Sequence, residues 1–128
     1  MSLWHYTCRH SFDRIGHAGV LLPVRVLADP ARLAGLSHDW NRDLIWLTDL
    51  DFPMRDALCL SSVTGCDRTT HRYRVVDEST AHPWLRFRRG LPAESRDLEL
   101  APGAMPMHWW VSREPVSVVF DPIAVMAS

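Results

Sequence analysis

The chain predicts an α+β domain of small mixed or antiparallel sheets with short helices. Three observations carry that reading. Several four- to eight-residue stretches are rich in β-branched and aromatic residues, among them Leu3 to Cys8, Asp43 to Thr48, His71 to Val76 and Pro115 to Phe120. Between them lie only short helix-like runs, bounded by glycine and proline. The length of 128 residues, with 47% hydrophobic and 23% charged residues, suits one ordinary globular domain spanning 1–128 and excludes wholesale disorder.

Taken in order, Leu3 to Cys8 is the first strand. Ser11 caps a short helix over Phe12 to Ala18, with Phe12 and Ile15 on one face and Gly19 as its stop. Val20 to Val26 connects onward through a bend at Pro23. Asp29-Pro30 opens a turn or brief helix near Ala31 to Leu36, and Ser37 to Arg42 is polar. Asp43 to Thr48 is the clearest strand of the first half. Asp51 to Leu60 reads as a short helix, since Pro53 suits a first turn and Met54, Ala57 and Leu58 share a face. Ser61 to Thr70 is a polar loop. His71 to Val76 alternates like a strand with one wet face. Ser79 to Arg89 is a helix or loop carrying Trp84 and Phe87, and Gly90 to Pro106 is poor in order signals. His108 to Val111 and Pro115 to Phe120 read as paired terminal strands, so four or five strands are expected in all.

Composition excludes several classes. No apolar run approaches the ~20 residues of a membrane-spanning helix. Met1 to His5 lacks the basic start and apolar core of a signal peptide, so a cytoplasmic protein is expected. Cys8, Cys59 and Cys66 are odd in number and few, which points to free thiols rather than a disulfide framework. All 14 basic residues are arginine, so no lysine serves as Schiff base or phosphate-loop cation. A formal net charge of −1 argues against bulk nucleic-acid binding. Cys59, Cys66 and His71 lack metal-ligand spacing, and no metal site is expected. Nothing singles out a Cys8–histidine nucleophile either. Arg86, Arg88 and Arg89, beside Trp84 and Phe87, form a cluster able to clamp a single strand but read more simply as a wet face.

Three constellations bear chemistry. His5 and Thr7 are two apart on a strand and so share a face, able to grip one ligand such as a ribose; Tyr6 lies between them and Arg9 follows. Ile45-Trp46-Leu47-Thr48-Asp49 is a strand ending in a hydroxyl and a carboxylate. In Trp109-Trp110-Val111-Ser112-Arg113-Glu114-Pro115-Val116, a glutamate opens an apolar strand.

Together these stretches resemble the ADP-ribosyltransferase family: His5 and Thr7 on the first strand, Gly19 and Leu21 after the helix, Thr48 ending a strand, and Glu114 late in the chain. The tracts at 3–8, 46–49 and 66–75 also resemble small uncharacterised actinobacterial and phage-type proteins, a likeness that brings no activity. The family resemblance implies an NAD-using enzyme that modifies a protein or nucleic-acid acceptor. It implies Glu114 as the catalytic carboxylate, facing the positive charge that builds on the sugar as nicotinamide leaves. His5, Tyr6, Thr7 and Thr48 would line the cofactor site, and Arg9 would pair with the pyrophosphate. The tyrosine that stacks on nicotinamide in one subgroup has no match. A second reading is a non-enzymatic interaction module with a degenerate NAD-type cleft, binding a partner through some of its six tryptophans. A nucleotide or RNA-end processing enzyme is the third class.

Overall fold

The computed structural model describes residues 2–23, 43–58 and 68–122. Their order is β1 (Trp4–Thr7), α1 (Arg9–Ile15), β2 (Ala18–Leu21), β3 (Ile45–Thr48), β4 (His71–Val75), β5 (His82–Pro83), α2 (Trp84–Phe87), three 3-10 segments (Arg88–Gly90, Ala93–Leu100, Pro106–His108), β6 (Trp109–Ser112) and β7 (Val116–Phe120). The α+β class is as expected. The strands form a seven-stranded sheet in the order β2-β7-β4-β1-β3-β6-β5, and every neighbouring pair is antiparallel. No described helix is long and apolar enough to cross a membrane.

The expected pairing of the two terminal strands does not occur. β6 bonds to β3 and β5, whereas β7 bonds to β4 and β2. Both run in the direction of β1, because each is two antiparallel steps from it. Adjacent antiparallel strands in a two-strand hairpin must run oppositely, so the short 113–115 connection cannot be a hairpin. In a flat sheet, four strand spacings would separate β6 from β7 by roughly 19 Å. The link from Ser112 to Val116 spans at most about 14 Å. The sheet therefore folds over on itself.

The fold line is the β1–β3 seam. β1 registers four residues against β4, but only Trp4↔Thr48 against β3. Inside the fold lie Leu3, Tyr73 and Val75, Leu21 and Val116 with Val118, and Ile45 and Leu47, all buried. Phe12 and Ile15, three apart on α1, close this core from one side. A second core lies on the opposite face of β3 and β6, where Leu44, Trp84, Trp109 and Val111 gather Trp46, Phe87, Leu91 and Leu98 around them. Trp46 meets Trp84 at 4.9 Å and Trp109 edge-on at 5.9 Å. Trp84, Trp109 and Trp110 are packed in these cores, and each indole N–H has a partner: Trp84 donates to Glu99, Trp109 to the Ala57 carbonyl and Trp110 to Asp49.

Several element expectations need correction. α1 begins at Arg9, with Cys8 rather than Ser11 at its N-cap, and ends at Gly16 instead of Gly19. Gly16 takes φ 77° and donates its N–H to the Phe12 carbonyl at 2.7 Å, a stop that its lack of a Cβ permits. Gly19 sits within β2, where an added Cβ would lie 2.2 Å from the Ile15 carbonyl oxygen. Its role is close approach of β2 to the helix end. The helix expected at 51–60 is, as far as described, a turn closed by Leu58 N–H to the Met54 carbonyl at 3.1 Å. The stretch 90–106, poor in order signals, carries the 3-10 segment Ala93–Leu100, anchored by Ser95 N–H on the Pro92 carbonyl. Cys8 is disulfide-bonded, not a free thiol. Parity arithmetic misses such a bond because tertiary proximity decides it. The expectations for 24–42 and 61–67 also fall outside the described residues.

Two substitutions test this packing. Trp84→Ala removes a fully buried indole and orphans part of Glu99, so denaturant unfolding should register a loss of about 3–5 kcal/mol. Ser95 is also fully buried, yet its hydroxyl has no hydrogen-bond partner among the described residues. Ser95→Ala should therefore leave the melting temperature unchanged or raise it, because it deletes a desolvated polar atom without opening a cavity.

Candidate functional site

Where β1 and β3 part beyond Trp4↔Thr48, the backbone opens a cleft of about 640 Å³. That is within the usual range for small-molecule sites. One wall is β1 itself, Trp4 to Thr7; the other is β3 with Leu44. Ser11, Arg14 and Ile15 of α1 and Arg68 add to the wall, and Leu98 and Trp109 contribute from the second core.

His5 bridges the seam. Its Nδ1 lies 2.8 Å from the Trp46 carbonyl oxygen, in place of the ladder bonds the diverging strands cannot make. A carbonyl only accepts, so the proton sits on Nδ1 and Nε2 of the neutral ring is an acceptor. Burial lowers the His5 pKa below its ordinary 6.5; the Trp46 bond opposes this, while Arg68 and Arg14 lower it further. His5 is thereby held as a neutral ring that accepts a hydrogen bond, for instance from a ligand hydroxyl. Thr7 is buried on the same face of β1, and its hydroxyl makes no hydrogen bond among the described residues. These two side chains come together as the sequence suggests.

Of the other expected site residues, Tyr6 and Thr48 line the cleft with their hydroxyls engaged elsewhere, whereas Arg9 and Glu114 do not line it. Tyr6 also lines the cleft, but from the opposite face of β1 to His5 and Thr7; it packs with Trp4 and Leu58 and donates its hydroxyl to the Leu50 carbonyl at 2.8 Å. Burial pushes its pKa up to about 12, so it stays protonated. Thr48 lines the cleft, but its hydroxyl donates to the His108 carbonyl at 2.7 Å and accepts the Leu50 N–H at 3.1 Å. Its side chain braces the strand end. Asp49 likewise spends its carboxylate on His108 Nδ1 and the Trp110 indole.

Arg9 is exposed at the start of α1 and does not line the cleft. Glu114 is exposed in the β6–β7 turn, with its backbone N–H and carbonyl both bonded to the Ser112 hydroxyl. It does not line the cleft either. Among the described residues, no aspartate or glutamate lines the cleft.

Arg14 and Arg68 were not singled out from the sequence. For Arg14 a signal existed: it stands three residues after Ser11 on α1, so the two share a helix face, and both line the cleft. Arg68 carries no such local cue. With two guanidiniums, a neutral imidazole and no carboxylate among its described lining residues, the cleft suits an anionic ligand bearing hydroxyl groups. No group of three or more metal-binding side chains occurs among the described residues.

The lowered His5 pKa has a pH signature. The unfolded chain binds the His5 proton more readily, so its contribution to stability is complete above pH 6.5 and is lost as pH falls through the folded-state value. Denaturant melts taken at intervals below pH 6.5 should show declining stability, and His5→Gln should flatten that part of the profile. An unchanged slope in the variant would contradict the assignment. Comparison with family models, with curated proteins and with solved structures gives no match.

Proposed function

We propose that the cleft binds an NAD-type dinucleotide and that the protein is an ADP-ribosyltransferase-like enzyme acting on a protein or nucleic-acid acceptor. The observation that carries this is the pairing of His5 and Thr7 on one face of a cleft whose described lining also carries Arg14 and Arg68. A dinucleotide presents ribose hydroxyls and a pyrophosphate, and these match a neutral imidazole acceptor, a threonine hydroxyl and two guanidinium forks. Arg14, not Arg9, is the helix arginine suited to the pyrophosphate. In the reaction, the bond between nicotinamide and the ribose anomeric carbon breaks with its electron pair leaving on nicotinamide. The acceptor's nucleophilic atom then bonds to that carbon and gives up its proton.

The position of Glu114 favours a second reading. A carboxylate that stabilises the developing positive charge must sit beside the sugar, and Glu114 is exposed outside the cleft wall. A non-enzymatic module that binds the dinucleotide in a degenerate cleft accounts for the same walls without requiring that carboxylate.

Thermal melts with increasing NAD separate these possibilities. The melting temperature should climb with ligand, by an equivalent of about 2.7 kcal/mol at one hundred times Kd. Arg14→Ala and His5→Ala should each weaken the shift. Release of nicotinamide by the wild type, lost in Glu114→Gln while the melting shift persists, supports the enzyme. Binding without release supports the module. No shift at millimolar NAD rules out both.

A further inference from the structure

Away from the cleft, α2 and the 3-10 turn after it present an arginine-rich surface. Trp84 anchors this run in the second core, which turns the following residues outward. Arg86 and Arg89 are three apart, so they stand on one side of the helical run, and both are exposed. Arg88 differs: its guanidinium is ion-paired with Glu99 and belongs to the packing beneath. The β6–β7 turn adds exposed Arg113, whose guanidinium carbon lies 4.9 Å from the Phe87 ring centroid. The His82 ring, also exposed, stacks on Phe87 at 6.0 Å with the two planes 21° apart.

The surface thus combines two features. Arg86, Arg89 and Arg113 have no ion pair among the described residues; Glu99 beneath them is taken up by Arg88, and the β6–β7 turn carries the carboxylate of Glu114. This leaves a local excess of positive charge on a chain whose formal net charge is −1. Beside the charges, the His82 ring and the Arg113 guanidinium each lie against Phe87, and both residues are exposed. An acidic peptide would satisfy the charges but offers nothing flat to stack. A duplex offers phosphates but keeps its bases stacked within itself. A single strand offers both phosphates and free base faces.

We propose that this surface binds single-stranded nucleic acid, with Arg86, Arg89 and Arg113 on phosphates and the exposed planes of Arg113 and His82 against bases. None of these residues lines the cleft, so binding here is measured without NAD, and its failure leaves the dinucleotide reading untouched.

Fluorescence anisotropy with a labelled single-stranded oligonucleotide of about a dozen nucleotides tests it. The wild type should bind at low salt. The triple variant Arg86→Ala, Arg89→Ala, Arg113→Ala should bind at least tenfold more weakly, with a log–log salt slope shallower by about 2, at roughly 0.7 per phosphate contact. Circular dichroism and melting checks that this variant remains folded. Arg113→Lys keeps the charge but removes the flat guanidinium; it should weaken binding to the oligonucleotide and leave binding to an abasic strand of equal length unchanged. The proposal is overturned if the wild type shows no anisotropy change at low salt, or if the triple variant binds as the wild type does. Competition by polyglutamate or by a duplex as effective as the single strand would also overturn it, pointing to an acidic protein partner or to charge alone.

Discussion

Much of this fold follows from one short connection. β6 and β7 run in the same direction, lie on opposite sides of the β1–β3 seam, and are joined by the three residues 113–115. Such a link cannot cross a flat sheet of this order, so the sheet doubles over, and it does so where hydrogen bonding is thinnest, at the single register pair Trp4↔Thr48. Doubling over brings Ile45 and Leu47 onto Tyr73, Val75 and Val118, which makes the first core. It also parts β1 from β3 beyond that pair, which makes the cleft. Packing and site are two results of the same bend.

A parted seam leaves backbone groups without ladder partners, and buried polar groups must find others. His5 supplies one by donating to the Trp46 carbonyl. That bond fixes the tautomer, and burial with two nearby arginines keeps the ring neutral. A residue that repairs the seam therefore becomes a ligand acceptor aligned with Thr7. The strand ends are held by ties of a different kind. Thr48 binds the His108 backbone, and Asp49 joins His108 to the Trp110 indole, so the start of β6 is fixed to the end of β3. Polar side chains that look chemically promising in the sequence are consumed by this bracing.

The charge distribution sorts the remaining surface. Arg72 lies 4.0 Å above the Trp4 ring and binds Asp121 and the Asp51 carbonyl, and Arg88 is held by Glu99; both are structural. Arg14 and Arg68 face the cleft, while Arg86, Arg89 and Arg113 face solvent. With no lysine in the chain, each of these roles falls to a guanidinium, whose planar fork serves ion pairing, stacking and anion binding alike.

The sequence alone determined the local elements. β-branched and aromatic runs marked β1, β3, β4, β6 and β7, and period-two spacing put His5 and Thr7 on one face. Those signals are local, acting over a few residues, and so they survive without tertiary information. Which strands pair, where the sheet bends, and which arginines reach the cleft were settled only by tertiary structure. Register across the seam depends on residues 40 or more positions apart, as between His5 and Trp46, and no local pattern encodes such a distance. The same reason places Glu114 in an exposed turn, engages Thr48 and Tyr6 in internal hydrogen bonds, and gives Cys8 a disulfide that its sequence neighbours do not announce.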